Sequence, residues 1–275
     1  MTRIAICAPA TPITREHADA ARALVADEYP GLSLHFHEQC FTGLGHFAGS
    51  DVNRMDAFVE CANDVSFDAV WFAKGGYGSN RIAAEAVKKL GYAARNKAYV
   101  GFSDCGYLLG TLYRAGIGQA VHGSMPVSSR SENGKVALRR VLDWFSGDDS
   151  GLEPSLDGRP TVAFNLMTLA MMAGTDLMPD LTGHVVIVEE VSEHLYAIDR
   201  LFFHLVNNLP PVAGLRLGAI TAVPENDRPF GQEEEDIARF WCARAGIDYL
   251  GRAEVGHTGG NHVVPFGLAR SFKRS

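Results

Sequence analysis

Several features that announce large classes of protein are missing from this sequence. Its five cysteines, at positions 7, 40, 61, 105 and 242, are odd in number and form no C-x-x-C pair. That pattern speaks against a disulfide framework and a thiolate zinc site, and it suits a reducing compartment. No run rich in Lys or Arg occurs, and a formal net charge of -7 provides no basic footprint for a nucleic-acid backbone. Apolar runs are short. None approaches the roughly 18–20 residues of a membrane span, and the apolar part of the opening Met-Thr-Arg-Ile-Ala-Ile-Cys-Ala-Pro is too brief for a secretory signal. The expectation is a cytoplasmic protein with neither nucleic acid nor membrane as a partner. Internal repeats and low-complexity tracts are absent as well.

What is present is an ordinary globular composition, 47% apolar and 21% charged over 275 residues, enough for one large domain or two medium ones. The first half repeats a strand, turn, helix rhythm through "RIAICA", "REHADAARALVADEY", "LSLHFHE", "DAVWFA" and "AYVGF". Met55, Phe58, Val59 and Ala62 add a helical spacing to the later part of the Phe47 to Val65 segment. This alternation predicts a parallel sheet with helices on its faces. Between about Ser129 and Pro160 the texture changes to a short amphipathic helix, "GKVALRRVLDWF", and then the turn-rich, acidic "SGDDSGLEPSLDGRP". The chain therefore divides into residues 1–130, a linker at 131–160, and residues 161–275. The last part reads as a mixed α+β domain. Its elements are an apolar helix "FNLMTLAMMAG", a strand "HVVIVEEV", a helix "LYAIDRLFFHLVNN" stopped by Pro210-Pro211, a strand "LGAITAV", a helix near Glu233 to Ala245, and two closing strands.

Four places carry candidate chemistry. In "VGFSDCGYLL" an apolar strand stops at Ser103 and a helix is expected to begin at Asp104. Ser103 is then either an N-cap or a nucleophile raised on a tight turn, with the amides of the new helix aimed at an oxyanion beside it. It is not a G-x-S-x-G elbow, because Cys105 occupies the place of the second glycine. Next, Lys74-Gly75-Gly76-Tyr77-Gly78-Ser79-Asn80-Arg81 follows a strand directly, and its glycines let main-chain N–H groups approach a phosphate or a carbonyl oxygen. Neither the P-loop nor the dinucleotide-binding pattern can be laid on these residues, and a plain glycine turn is the simpler alternative.

A serine nucleophile needs a base, and the base needs a carboxylate to fix its tautomer. Among ten histidines, His257 stands out in the glycine-rich loop "EVGHTGGNH" at a strand end, with His262 as its competitor. For the carboxylate, Glu189 and Glu190 close an otherwise apolar strand, where a desolvated acid requires a partner. Strand alternation puts the two on opposite faces without saying which faces a site. His257 and His262 with either glutamate would give a metal set only without any recognised ligand spacing, so no metal is expected.

The segments "FAGSDVNRMDAF", "KGGYGSNRI", "VGFSD", "HGSM", "VEEVSEHLYAIDR" and "VGHTGGNHVVPFG", in this order over most of the chain, resemble those of the LD-carboxypeptidase family of serine peptidases. That family includes murein tetrapeptide carboxypeptidases and microcin-immunity peptidases. The resemblance implies a flavodoxin-like parallel α/β N-terminal domain, a smaller β-rich C-terminal domain resembling a swivelling β-barrel, and a site between them. It also implies Ser103 as nucleophile, Glu189 as the acid that orients the base, His257 as the base, and backbone N–H groups of Gly75, Gly76 and Asp104 as the oxyanion hole. No cofactor or metal is implied. The implied substrate is a small peptide, a murein tetrapeptide losing D-alanine, and the implied assembly is a homodimer. A peptidase of the microcin-immunity type, acting on peptidyl or aminoacyl nucleotides, and a non-catalytic sensor on the same fold are the alternatives. The sequence departs from the family pattern in four places. Lys74 stands where arginine is usual, Ser124 where proline is common, and Ala163-Phe164-Asn165 where Gly-Gly-Asn is usual; the loop after His257 lacks a proline and a glutamate.

Overall fold

The computed structural model describes residues 1–272. Strand β1 (Thr2–Cys7) buries Ile4, Ala5, Ile6 and Cys7 completely, as a strand covered on both faces must. Helix α1 (Arg15–Glu28), with Ala18, Ala21, Leu24 and Val25 on its inner stripe, leads into β2 (Leu32–Phe36). There follow α2 (Asp51–Asn63), β3 (Ala69–Phe72), α3 (Asn80–Lys88), β4 (Ala98–Gly101), α4 (Gly106–Ala115), β5 (Gln119–His122) and α5 (Glu132–Phe145). The second half runs β6 (Thr161–Asn165), α6 (Leu166–Met172), β7 (Val185–Val191), α7 (Leu195–Val206), β8 (Gly214–Thr221), α8 (Glu234–Ala245), β9 (Tyr249–Arg252) and β10 (Val264–Pro265).

Strands β1 to β5 are parallel and lie in the order β2-β1-β3-β4-β5, with β10 added antiparallel to β5. This is the flavodoxin-like order, whose direction reverses between β1 and β3. Ligand crevices of such sheets open at the carboxyl ends of the strands beside that reversal. One face of the sheet packs Ile4, Ile6, Trp71, Val100 and Val121 against α1 and against Leu138, Val141, Leu142 and Phe145 of α5. Helix α5, from the stretch between the two halves, thus seals the first sheet.

The second sheet, β6-β7-β8-β9, is also entirely parallel. The second, smaller domain that was expected is there, and its sheet is an open parallel one in which barrel character is not seen among the described residues. Parallel neighbours require crossover connections, and α6, α7 and α8 supply them, so the second half is an α/β layer with β6 and β9 as its edges. Two further differences concern single elements. Phe164 and Asn165, expected in a helix, finish β6 opposite Val188 and Glu189. Asn165, in an extended conformation, then caps α6 by accepting from the Thr168 amide at 3.1 Å. Of the two closing strands, β10 crosses back and pairs with β5 of the first sheet. One apolar cluster joins the halves, running from Phe72, Tyr99, Leu108 and Leu112 to Phe164, Val186 and Leu215. The carboxyl ends of β4 and β7 are thereby set side by side.

Candidate active site

Strand β4 ends at Gly101, and the chain turns sharply at Ser103, whose φ of 57° is left-handed. A non-glycine residue in that region carries about 1–2 kcal/mol of backbone strain, and such strain concentrates at functional turns. The expected helix does not start at Asp104: a 3₁₀ turn spans Ser103–Cys105, and α4 begins at Gly106. Ser103 caps neither, since no side-chain cap hydrogen bond forms at either start. Its hydroxyl is therefore available for other work. The Asp104 carboxyl accepts from Thr168 Oγ1 on α6 at 3.0 Å, and its burial holds it above the ordinary aspartate range against that bond.

The glycine loop after β3 packs onto the serine. A Cβ on Gly75 would lie 3.1 Å from Ser103 Cβ and 3.2 Å from Ser103 Oγ, so only glycine lets this backbone approach so closely. Gly76, at φ +86°, lies against Thr11 of the loop after β1, and Thr11 Oγ1 donates to the Gly75 carbonyl at 2.6 Å. These are the two loops flanking the point where the strand order reverses. The N–H groups of Gly75 and Gly76 have no partner among the described residues. Arg54 braces the loop from beneath. Fully buried, it donates to the carbonyls of Pro9 at 2.6 Å and Gly78 at 2.8 Å, pairs with Asp51, and lies 4.7 Å from the centre of the Phe47 ring. The residues alone did not single out Arg54. The signal was available, because Arg54 shares a helix face with Ala57, Phe58 and Cys61, where an unpaired cation would be costly.

From the second half, Glu189 and Glu190 take opposite sides of β7. Glu189, with no exposed surface, accepts from His257 Nδ1 at 2.8 Å. A carboxylate acceptor makes Nδ1 the donor and leaves Nε2 as the free lone pair of a neutral ring. Burial pulls the His257 pKa down, but the hydrogen bond and charge of Glu189, with Glu190 and Asp104 behind it, outweigh this and leave it raised. The ring lies 4.7 Å from that of Phe102 and close enough to Asp104 to feel its charge. Of the residues flanking Ser103, His257 thus touches Phe102 and feels the charge of Asp104, and no hydrogen bond joins its ring to Ser103 Oγ among the described residues. Glu190 points the other way and serves α6, accepting from Asn165 Nδ2 at 2.7 Å and from the amides of Met167 at 2.8 Å and Val191 at 2.9 Å. His262 is occupied in its own loop, where Nδ1 donates to the Gly260 carbonyl at 2.8 Å.

The arrangement places an uncapped serine hydroxyl, a carboxylate-bound imidazole and the unpaired amides of Gly75 and Gly76 in one region, the set of groups that acyl transfer through a serine uses. Among the described residues no group of three or more His, Cys, Asp or Glu side chains is disposed to hold a metal ion, and no helix is long and apolar enough to cross a membrane. All five cysteines are free and buried.

Fold and site define a two-sheet α/β protein in which loops after β3 and β4 of the first sheet and the end of β7 of the second carry the candidate residues. The chain belongs to the LD-carboxypeptidase family, matching that family's N-terminal domain over residues 4–123 and its C-terminal domain over residues 160–271. It is a hydrolase of the carboxypeptidase kind. It is 24% identical to the murein tetrapeptide carboxypeptidase of Pseudomonas aeruginosa, over 96% of this chain and 91% of that one. Its fold is similar to that of the muramoyltetrapeptide carboxypeptidase of Oxalobacter formigenes, with a TM-score of 0.80, 23% identity, and 98% and 96% of the two chains covered. It is similar, too, to the microcin C7 self immunity protein MccF in complex with aspartyl sulfamoyl adenosine, with a TM-score of 0.79, 16% identity, and 97% and 91% covered.

Proposed function

We propose that the protein is a serine carboxypeptidase that hydrolyses an L,D-peptide bond, releasing D-alanine from murein tetrapeptide in cell-wall recycling. The observation that carries this reading is the 2.8 Å bond from His257 to the buried Glu189, with the His257 ring 4.7 Å from that of Phe102, the residue before a serine held at left-handed φ. In the reaction His257 Nε2 takes the proton of Ser103 Oγ as the oxygen attacks the amide carbon next to the terminal D-residue. Negative charge passes to the carbonyl oxygen and is met by N–H groups of Asp104 and of Gly75 or Gly76. The tetrahedral species collapses, the C–N bond breaks, and the proton on His257 goes to the departing amine. Water then attacks the Ser103 ester, giving one proton to His257, and the acid product leaves as that proton returns to Ser103. Glu189 holds the ring through its bond to Nδ1 at each stage. No metal or organic cofactor enters these steps. A cytoplasmic enzyme working as a homodimer completes the reading, and the free thiols suit it.

A second reading, hydrolysis of peptidyl or aminoacyl nucleotides, draws on the MccF-like fold. It also draws on the exposed Tyr196, stacked on His194 at 5.0 Å just beyond β7, as an aromatic surface for a base. The test is product release by wild type and Ser103→Ala from L-Ala-D-Glu-meso-diaminopimelate-D-Ala and from an aminoacyl sulfamoyl adenosine. D-alanine formed only by wild type supports the first reading, and turnover of the nucleoside alone selects the second. Equal rates for the two proteins would end the serine mechanism.

A further inference from the structure

His257 is carried on a loop from the second half, yet much of what holds that loop belongs to the first. Asn261, 1% exposed, is the hub. Its Oδ1 accepts from the backbone N–H of Gly256 at 2.9 Å and from His122 Nε2 at 2.9 Å, while its Nδ2 donates to Ser124 Oγ at 3.1 Å. His122 ends β5, and Ser124 follows two residues on, with its carbonyl taken by Trp71 Nε1 at 2.8 Å. Farther along the loop, Arg140 of α5 donates to the Gly259 carbonyl at 2.7 Å.

Gly256 immediately precedes His257. Its φ of +132° and the 2.9 Å between its Cβ position and Ala219 Cβ leave the peptide little choice of direction. One side-chain oxygen therefore sets the backbone from which the imidazole projects. The amide cannot be reversed without facing its NH₂ toward the Gly256 N–H. Ser124 Oγ, lying on the Nδ2 side, holds the correct orientation, which the proline common in the family could not do.

We propose that Asn261 is the positioning residue that holds His257 over Ser103, clamping the base loop to the end of β5, with Ser124 as its orienting partner. This rests on the reading of His257 as general base. The titratable group that faces His257 is Glu189, while Asp104, the buried His122 and, from the far side of β7, Glu190 act on it through charge alone. Burial lowers the His122 pKa, and because Asn261 Oδ1 already accepts from the Gly256 N–H, the ring's N–H toward it is assigned to Nε2.

The test compares wild type, Asn261→Ala, Asn261→Asp and Ser124→Ala by NMR titration of the His257 ring and by kinetics on murein tetrapeptide. Asn261→Ala should lower kcat about tenfold to a hundredfold with little change in KM, as small misplacements of catalytic groups do. It should also move the His257 pKa down as the bond to Glu189 loosens. Asn261→Asp keeps both acceptor bonds and adds a negative charge, so it should move the His257 pKa and the acid limb of kcat/KM upward through charge alone while holding kcat well above that of Asn261→Ala, and a kcat as low as that of Asn261→Ala would count against the clamp. This isosteric variant carries the test should Asn261→Ala fail to fold. Ser124→Ala should lower kcat only a few-fold. Identical His257 titrations in all four proteins would overturn the clamp. If the titrations follow the series while wild type releases no D-alanine, the clamp stands and the murein reading falls.

Discussion

The two sheets hold the candidate residues at their carboxyl edges by different means. At the carboxyl edge of the first, position is written into the backbone: Ser103 sits at left-handed φ, and Gly75 presses its bare Cα side against it. At the edge of the second, position comes from polar side chains, with Glu189 on His257 and Asn261 on the peptide before it. The adjacent glutamates sharpen the contrast. Both are buried, at 0% and 3% exposure, yet one serves the imidazole and the other the start of α6. Backbone placement is steeply steric and insensitive to pH, whereas placement by hydrogen bonds can be titrated. The serine should therefore respond to added volume and the histidine to altered charge.

The largest effect expected from this difference is that of Glu189→Gln, about 10⁴-fold in kcat, as for loss of the orienting carboxylate in other triads. The same variant should change the pH profile. As the proposed base, His257 would have to be neutral to accept a proton, so activity should rise as pH climbs through its pKa. With Glu189 in place that pKa lies above histidine's ordinary 6.5, and without the charge the acid limb of kcat/KM should move to lower pH. Next comes Gly75→Ala, whose methyl group would sit 3.1 Å from Ser103 Cβ. It should cost about tenfold to a hundredfold in kcat, in keeping with small displacements of a reacting group, and should leave the pH profile where it was. A shifted profile would break the distinction between the two edges. The smallest catalytic effect belongs to Glu190→Gln. It should retain kcat within a few-fold and lose about 1–3 kcal/mol of stability, because an NH₂ group replaces an acceptor facing N–H donors. Denaturant unfolding checks the second figure, and a large fall in kcat would mean that the two glutamates are not divided in this way.

Much of the first half is legible in the sequence, because parallel strands buried on both faces read as unbroken apolar runs and each is followed by a helical period. The glutamate pair was not. Valine and isoleucine flank both faces of β7, so periodicity could not choose between Glu189 and Glu190, and the choice came from family resemblance alone. Phe164 was misplaced because an apolar strand that runs directly into an apolar helix offers no change of composition at the junction; only Asn165, a cap residue, marks it. The return of β10 to the first sheet is a non-local pairing of two residues, too short for any pattern to reveal. Asn261 escaped notice for a related reason. Its hydrogen-bond partners at positions 122 and 124 are far away in the chain, and nothing in a glycine loop marks an asparagine as buried.

The central claim is that Ser103 is the nucleophile activated by His257, and covalent labelling tests it without reference to any substrate. Treatment with a fluorophosphonate followed by peptide mass spectrometry should place a single adduct on Ser103 in wild type and find it strongly slowed in His257→Ala. No adduct, or one on another residue, would contradict it.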